Sequence, residues 1–417
     1  MLRQLEGSRG VAEAVAMCRP EVVCAYPITP QTHIVEHLSD LVLSGELEPC
    51  EYVTVESEFS AMSVCIGASA AGARTYTATA SQGLLYMAEA LFNASGLGLP
   101  IVMTCANRAI GAPINIWNDH SDAMSQRDSG WIQLYAESNQ EALDLHLQAF
   151  RIAEEVSLPV MVCMDGFVLT HAFEQVDVPA AEQVDAFVGP FEPRQVLDPD
   201  DPVTIGAVVG PEAFFEVKYL AHAKQMDALD LIPGVASEFA EAFGRESGGL
   251  IRAYRADDAD TIVVALGSVL GTLEDVVDEL RERGVKIGVV GIKSFRPFPL
   301  EEVRAALENA RRVVVLEKAL AVGIGGIVSA NVRMALSGIQ LSGYTVIAGL
   351  GGRPITKQSL HSMLADAVED RLEALTFLDL DRELVERELV RMRHHHRPGP
   401  HAENIVRDMG IVGSRSH

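Results

Sequence analysis

Cysteine is scarce and scattered in this sequence. The six, Cys18, Cys24, Cys50, Cys65, Cys105 and Cys163, contain no C-x-x-C pair. That excludes an iron–sulfur cluster bound by this chain alone and fits reduced core thiols in a cytosolic protein. Positive charge is also in deficit, with 33 Lys and Arg against 58 Asp and Glu and a formal charge of −25. Nucleic acid is therefore the wrong kind of ligand, and an acidic electron carrier is expected to dock on another subunit. No apolar run approaches the ~18 residues of a membrane span. Met1 to Gly7 lacks the apolar core of a signal peptide, so the cytoplasm is the expected location. Tandem repeats and low-complexity blocks are absent.

Familiar site frames are missing too. Gly323-Ile324-Gly325-Gly326 and Gly349-Leu350-Gly351-Gly352 follow strands, but neither has G-x-G-x-x-G spacing with an acidic partner. Close helix–sheet packing is the expected role of Gly323 to Gly326, with an anion at the next helix start as the competing one. Ser81 lacks the G-x-S-x-G frame of a nucleophile elbow. Adjacent side chains in His394-His395-His396 point in different directions, so the triplet reads as a solvated tail, and no metal is assigned to this chain.

What is present looks like an ordinary folded protein, 48% hydrophobic and 22% charged. Its 417 residues suit two or three domains of ~150 residues each. The apolar run Glu21 to Ala25 reads as a buried strand, followed by Tyr26-Pro27-Ile28-Thr29-Pro30-Gln31-Thr32 and a helix on which Ile34, Val35, Leu38, Leu41 and Val42 recur. Thr29 before Pro30 predicts the helix start, with the hydroxyl as N-cap and proline at the first helical position. Such a turn lies at the carboxyl end of a strand, where α/β sheets gather ligands; a capped turn without a ligand is equally consistent with it.

Further βα units follow. Tyr52 to Val55 leads into a small-residue helix from Glu58, Thr75 to Ala80 into Ser81-Gln82-Gly83 and a helix from Leu84, and Pro100 to Cys105 into a long irregular stretch, Arg108 to Asp128. Gln140 to Val156 is helical and Pro159 to Cys163 a strand. Repeated buried strands alternating with helices predict a parallel, helix-covered sheet. Val176 to Pro202 reads as an extended acidic connection, and Pro211 to Phe243 as helical and part of the first domain. A second α/β unit starts near Asp260, with strands at Thr261 to Leu266, Val285 to Val290 and Arg312 to Leu316, and Thr345 to Gly349 completing its sheet. From about Ser359 the chain is helical and charged.

Two residues stand out chemically. Glu58 begins a helix whose next turns are small and apolar. Its carboxylate is expected to be partly buried, a setting that favours protonation or a shared proton; an acid serving only the helix dipole is the competing role. Arg108 ends a strand before a loop too long and apolar to be mere connection. Its guanidinium can clamp a carboxylate or pair internally with Asp119 or Asp122.

Tyr26-Pro27-Ile28-Thr29-Pro30, Ser57-Glu58, Thr79 to Leu84, Asn115 to Asp122 and Asp165-Gly166-Phe167 resemble the α subunit of pyruvate:ferredoxin oxidoreductase. More broadly they resemble the thiamine-diphosphate-dependent 2-oxoacid:ferredoxin oxidoreductases. The likeness continues through Lys293 to Pro299, Glu317-Lys318 and Gly349 to Arg353, and so covers nearly the whole chain. It implies an α/β fold with a parallel-sheet, pyrimidine-type thiamine-diphosphate domain over residues 1–254. A smaller transketolase C-terminal-like domain would span 255–370, with a helical tail over 371–417.

By the same likeness Glu58 contacts N1′ of the aminopyrimidine, which activates the thiazolium carbon, and Pro27, Ile28 and Thr29 border the cofactor. Thr29 and Arg108 hold the 2-oxoacid. The resemblance further implies a β subunit that grips the diphosphate through Mg2+, since a G-D-G frame is missing here and Asp165-Gly166 lacks the preceding glycine. It also implies a ferredoxin-like subunit with [4Fe-4S] clusters, a γ subunit, coenzyme A as acyl acceptor and ferredoxin as electron acceptor, the chain being inactive alone. A branched-chain or aryl 2-oxoacid in place of pyruvate, or a non-catalytic scaffold, are the alternatives.

Overall fold

A computed structural model describes residues 1–202, 204–394 and 399–411. The first half runs β1 (Leu2–Glu6), α1 (Gly7–Met17), β2 (Val22–Ala25), α2 (Thr32–Leu43), β3 (Glu51–Thr54), α3 (Glu58–Ala70), β4 (Thr75–Thr79), α4 (Ser81–Tyr86) and α5 (Ala88–Leu97). It continues with β5 (Val102–Asn107), α6 (Ser121–Ser125), β6 (Ile132–Tyr135), α7 (Asn139–Val156), β7 (Val160–Asp165), β8 (Phe173–Asp177), α8 (Ala181–Val188) and α9 (Phe214–Phe243). The second half holds β9 (Ile251–Tyr254), β10 (Thr261–Ala265), α10 (Val269–Glu282), β11 (Ile287–Ile292), β12 (Ser294–Arg296), α11 (Leu300–Leu307), β13 (Arg312–Glu317), α12 (Val328–Ala335), β14 (Ser342–Ile347), α13 (Lys357–Val368) and β15 (Leu375–Phe377). Two helices close the described chain, α14 (Arg382–His394) and α15 (His401–Asp408).

The first sheet has the order β12-β6-β7-β5-β4-β2-β3 and is parallel except for β12. Its central strands β4, β5 and β7 are buried along their whole length, as expected for strands covered by helices on both faces. On one face α1, α2, α7 and α9 build an apolar core around Val11, Leu38, Phe150 and Phe239. On the other, α3 and α5 pack through small residues; Cys65 approaches the Cys24 and Tyr76 carbonyls at 3.9 and 3.7 Å. The second sheet, β15-β14-β13-β10-β11-β9, is parallel apart from β9. The core beneath α3 and α5 runs without a break into the second sheet through Trp131, Tyr135, Phe295 and Val315.

Several expectations change in detail. The helix after β2 begins at Thr32, with Gln31 at the N-cap and no side-chain cap bond, so Thr29 is not the cap and Pro30 is not the first helical residue. The Gln31 side chain instead donates to the Tyr26 and Ala78 carbonyls at 2.9 and 3.2 Å. That tie holds residues 26–31 to the end of β4 and delays the helix. The Val176 to Pro202 connection contains α8, whose Val184 and Phe187 are buried beside α9. The second sheet takes β9 from before Asp260 and ends on β15 rather than at Thr345 to Gly349. His394 ends α14, and the other two residues of the histidine triplet lie outside the described residues.

The segment after β11 does something the periodicity does not reveal. Lys293 leaves the second sheet and β12 crosses to pair antiparallel with β6 of the first. The buried Lys293 ammonium sits 2.8 Å from Glu137 and 2.7 Å from Glu141, while its carbonyl accepts from Tyr135 N–H at 2.8 Å. Burial pushes the Glu141 carboxyl up, and the Lys293 charge pulls against it. Removing the ammonium would strand two acids at the seam. We expect Lys293→Met to cost about 3–5 kcal/mol in urea unfolding of the full chain; an unchanged midpoint would show that the seam does not depend on this charge.

Candidate active site

Strands β2, β3, β4 and β5 are parallel, so their carboxyl ends form one rim, and the turns that leave them carry the candidate residues. Ser57 caps α3 by accepting from Ser60 N–H at 3.2 Å, which sets Glu58 in the first helical turn. Glu58 is 8% exposed. Among the described residues its carboxylate has no hydrogen-bond or ion-pair partner. The β4–α4 turn comes in against it. A Cβ on Gly83 would fall 2.7 Å from Glu58 Oε1 and 2.5 Å from Thr79 Oγ1, so only glycine fits there. Thr79 Oγ1 is itself buried without a partner.

Thr29 and Arg108 meet directly. Arg108 donates from Nη1 to the Thr29 carbonyl at 2.9 Å and from Nε to the Asn115 carbonyl at 3.0 Å. Nη2 has no partner among the described residues, so the Nη1–Nη2 end of the fork stays available to a carboxylate. Neither internal ion pair considered from the sequence forms; the guanidinium binds carbonyls instead, and burial lowers its pKa. Thr29 is exposed and its hydroxyl has no hydrogen-bond partner among the described residues, while Pro27 and Tyr26 beside it are exposed and Ile28 half-buried. Among the described residues no hydrogen bond or ion pair joins Glu58 to Thr29 or Arg108. They are linked through residues 81–83.

That link is Asp122, fully buried at the head of α6. Its carboxylate accepts from Ser81 N–H (2.9 Å), Arg108 N–H (2.9 Å), Asn107 Nδ2 (2.9 Å) and Ala123 N–H (2.8 Å). Burial raises its pKa against these four bonds. The Ser81 hydroxyl is spent on the Ala109 carbonyl and on Gln82, which leaves no serine nucleophile. One carboxylate thus fixes the turn that touches Glu58 and the backbone that launches Arg108.

Asp165, at the end of β7, plays the corresponding part between the two sheets. It meets His120 Nε2 at 2.6 Å, Lys318 Nζ at 2.9 Å and Ser268 N–H at 2.9 Å. The glycine segments behave as packing. Gly351 N–H donates to Asp119 and its carbonyl accepts from Asn115, both at 3.1 Å, which clamps the 115–119 loop from the second unit. At Gly326 a Cβ would lie 2.0 Å from Glu317 Oε1. Glu317 itself receives Ile327, Val328 and Ser329 N–H at the start of α12. An internal carboxylate thus takes the place an anion would have had.

The sequence reading missed Asp122 as an anchor, and His120, Asp165, Ser268 and Lys318 as a cluster. Only the pairing of buried acids with helix starts hinted at them, because their partners are far apart in the chain.

Known proteins resemble the chain over most of its length. Residues 13–235 match the family described as "Pyruvate flavodoxin/ferredoxin oxidoreductase, thiamine diP-bdg", and residues 259–360 match "Pyruvate:ferredoxin oxidoreductase core domain II". The pyruvate synthase subunit PorA of Methanosarcina barkeri is 50% identical over 91% of this chain and 97% of its own length. The ketoisovalerate oxidoreductase subunit VorA of Pyrococcus abyssi is 40% identical over 91% of this chain and 96% of its own. The solved 2-oxoglutarate:ferredoxin oxidoreductase of Magnetococcus marinus shares the fold, with a TM-score of 0.66 at 19% identity over 88% of this chain and 65% of that one.

The Asp165 cluster gives a pH test. Burial pushes this carboxyl up, but the Lys318 ammonium and His120 outweigh it and hold it well below its ordinary value of 3.8. A depressed folded pKa contributes stability that is present above the unfolded pKa and lost as pH falls through the folded one. We expect Asp165→Asn to lose about 3 kcal/mol at neutral pH. The deficit should persist down to about pH 5 and shrink below about pH 4. Urea unfolding of both proteins across that range is the measurement, and a deficit unaffected by acid would refute the assignment.

Proposed function

The chain belongs to the thiamine-diphosphate-dependent pyruvate:ferredoxin oxidoreductase family, and from that premise we propose the roles of its residues in oxidative decarboxylation of a 2-oxoacid. It is one subunit of a multi-subunit oxidoreductase. The observation that carries the site reading is Glu58, a residue only 8% exposed whose carboxylate has no hydrogen-bond or ion-pair partner among the described residues. A carboxylate set at the rim with its acceptor lone pairs unused can take a donor from a ligand, and the aminopyrimidine ring offers one. Glu58 would hold the ring nitrogen and share its proton, with Thr79 and Gly83 forming the adjacent wall. When bound, thiamine diphosphate supplies the nucleophilic carbon and electron sink that decarboxylation requires.

The protein's own contribution is positioning. Arg108 presents the Nη1–Nη2 end of its fork to the substrate carboxylate, and burial makes that charge–charge contact stronger than it would be in water. The Thr29 hydroxyl stands beside it to donate to the carboxylate or the 2-oxo group. Pro27, Ile28 and Tyr26 line the approach.

The rim is open on its outer side, where Tyr26, Phe59, Tyr86, Ile116 and Trp117 are exposed. A surface of this kind supports closure by a second subunit. We assign to that β subunit the Mg2+ and diphosphate contacts, because Asp165, the one Asp-Gly acid at a strand end of the rim, is already satisfied by His120, Ser268 and Lys318. The [4Fe-4S] clusters, ferredoxin docking, the γ subunit and coenzyme A binding fall to the assembled complex, placed in the cytoplasm. Residues 1–254 would form the pyrimidine-type domain, 255–370 the transketolase C-terminal-like domain and 371–417 the tail. Pyruvate is the substrate we favour; the likeness to a ketoisovalerate subunit keeps a branched-chain 2-oxoacid as the second reading.

In the assembled complex, Glu58→Gln should cut 2-oxoacid-dependent acceptor reduction by about 10²–10⁴-fold while the subunits still co-purify. Normal turnover in that variant would remove Glu58 from the mechanism. Arg108→Ala should raise the 2-oxoacid KM by about tenfold or more, the loss of one charge-assisted contact of about 1.4 kcal/mol. An unchanged KM would count against the clamp.

A further inference from the structure

Glu6, His33 and His171 come together from three separate stretches: the β1–α1 junction, the first turn of α2, and the turn between β7 and β8. One nitrogen or oxygen from each lies within 4.8 Å of the others. Glu6 Oε1 is 2.7 Å from His33 Nδ1, and the two imidazole rings are 4.8 Å apart between centroids. The backbone that carries them is tied together. Gly7 N–H donates to the Ala172 carbonyl at 3.0 Å, and both the N–H and the hydroxyl of Ser8 reach the Thr170 carbonyl at 2.9 Å.

His171 is further held by its neighbours. Its Nδ1 lies 2.7 Å from the buried Thr170 Oγ1, which also accepts from Phe167 N–H at 2.8 Å. The tautomer that donates Nδ1–H to that hydroxyl leaves Nε2 with a lone pair free for a cation. Metal-binding histidines have an outer hydrogen bond of this kind, which fixes tautomer and ring orientation.

We propose that Glu6, His33 and His171 form a binding site for a divalent cation of the zinc class, held by two imidazole nitrogens and one carboxylate oxygen, with water completing the shell. Hard cations such as Mg2+ and Ca2+ take oxygen ligands, so this donor set selects against them. Zinc bonds of ~2.0–2.2 Å need the ligand atoms closer than their present widest separation. His33, with a side chain 47% exposed, can make that adjustment while His171 stays on Thr170. The site would act as a clasp. Phe167 stacks on His171 and on Trp117, each at 4.7 Å between ring centroids, so a cation on His171 stiffens a stack that reaches the 115–119 loop beside Arg108.

The test uses the full chain with His394, His395 and His396 all replaced by alanine, so that the tail triplet cannot compete. Co2+ alone serves as the spectroscopic probe and Zn2+ as the probe of stability. We expect one Co2+ per chain with visible ligand-field bands of a low-coordinate ion, and a Zn2+-dependent rise in Tm. His33→Gln and His171→Gln should each weaken Co2+ binding by about tenfold or more and abolish the Tm rise. His33 is exposed, so its variant keeps the test valid if His171→Gln fails to fold. Absence of saturable Co2+ binding, or binding unchanged in His33→Gln, would overturn the proposal.

Discussion

Asp165 carries its charge at complete burial, which a protein tolerates only when the lost hydration is replaced contact by contact. Here the replacements come from both halves of the chain: His120 from the first unit, Ser268 and Lys318 from the second. The two sheets therefore cannot separate without stranding an acid and an amine in an apolar seam. The backbone follows the side chains, since His120 N–H also donates to the Lys318 carbonyl at 2.7 Å. His120 in turn immediately precedes α6, whose Asp122 sets the Arg108 backbone and the turn against Glu58. Position at the rim thus depends on charge compensation at the seam, although no residue of the seam touches the proposed substrate position.

The parts legible in the sequence are those that a single stretch of chain determines. Buried strands alternating with helices gave the parallel sheets, and the place of Thr29, Glu58 and Arg108 after successive strands put them on one rim. Glu58 could be read as buried because the turns that follow it are small and apolar. Capping at Thr29 could not be judged this way. Whether the hydroxyl caps the helix is decided by Gln31 reaching the Ala78 carbonyl on β4, a contact with no local trace. Asp122 and Asp165 were hidden for the same reason: each meets donors more than ten residues away, and nothing in composition or period distinguishes such an acid from one on the surface. The β12 crossover was hidden because a three-residue strand has no usable period.

The two acidic hubs and Glu58 illustrate opposite uses of a buried carboxylate. Asp122 accepts four hydrogen bonds and Asp165 is matched by Lys318. Both are complete within the chain and serve as joints. Glu58 is less enclosed, at 8% exposed, and has no partner among the described residues. Its acceptor capacity is unused among the described residues, and the proposed ring contact is what would take it up.

The same logic explains why Gly83 lies beside Glu58. A methyl group at that position would fall 2.7 Å from Glu58 Oε1 and 2.5 Å from Thr79 Oγ1, closer than van der Waals contact allows. Any side chain there would have to push the carboxylate or the Thr79 hydroxyl aside. Glycine lets the turn approach closely while giving the carboxylate no partner. Asp122 then keeps that turn from drifting, by holding Ser81 N–H two residues earlier. The open acid is therefore held in place by satisfied ones, so that in the proposed function a donor reaching Glu58 would meet a fixed geometry.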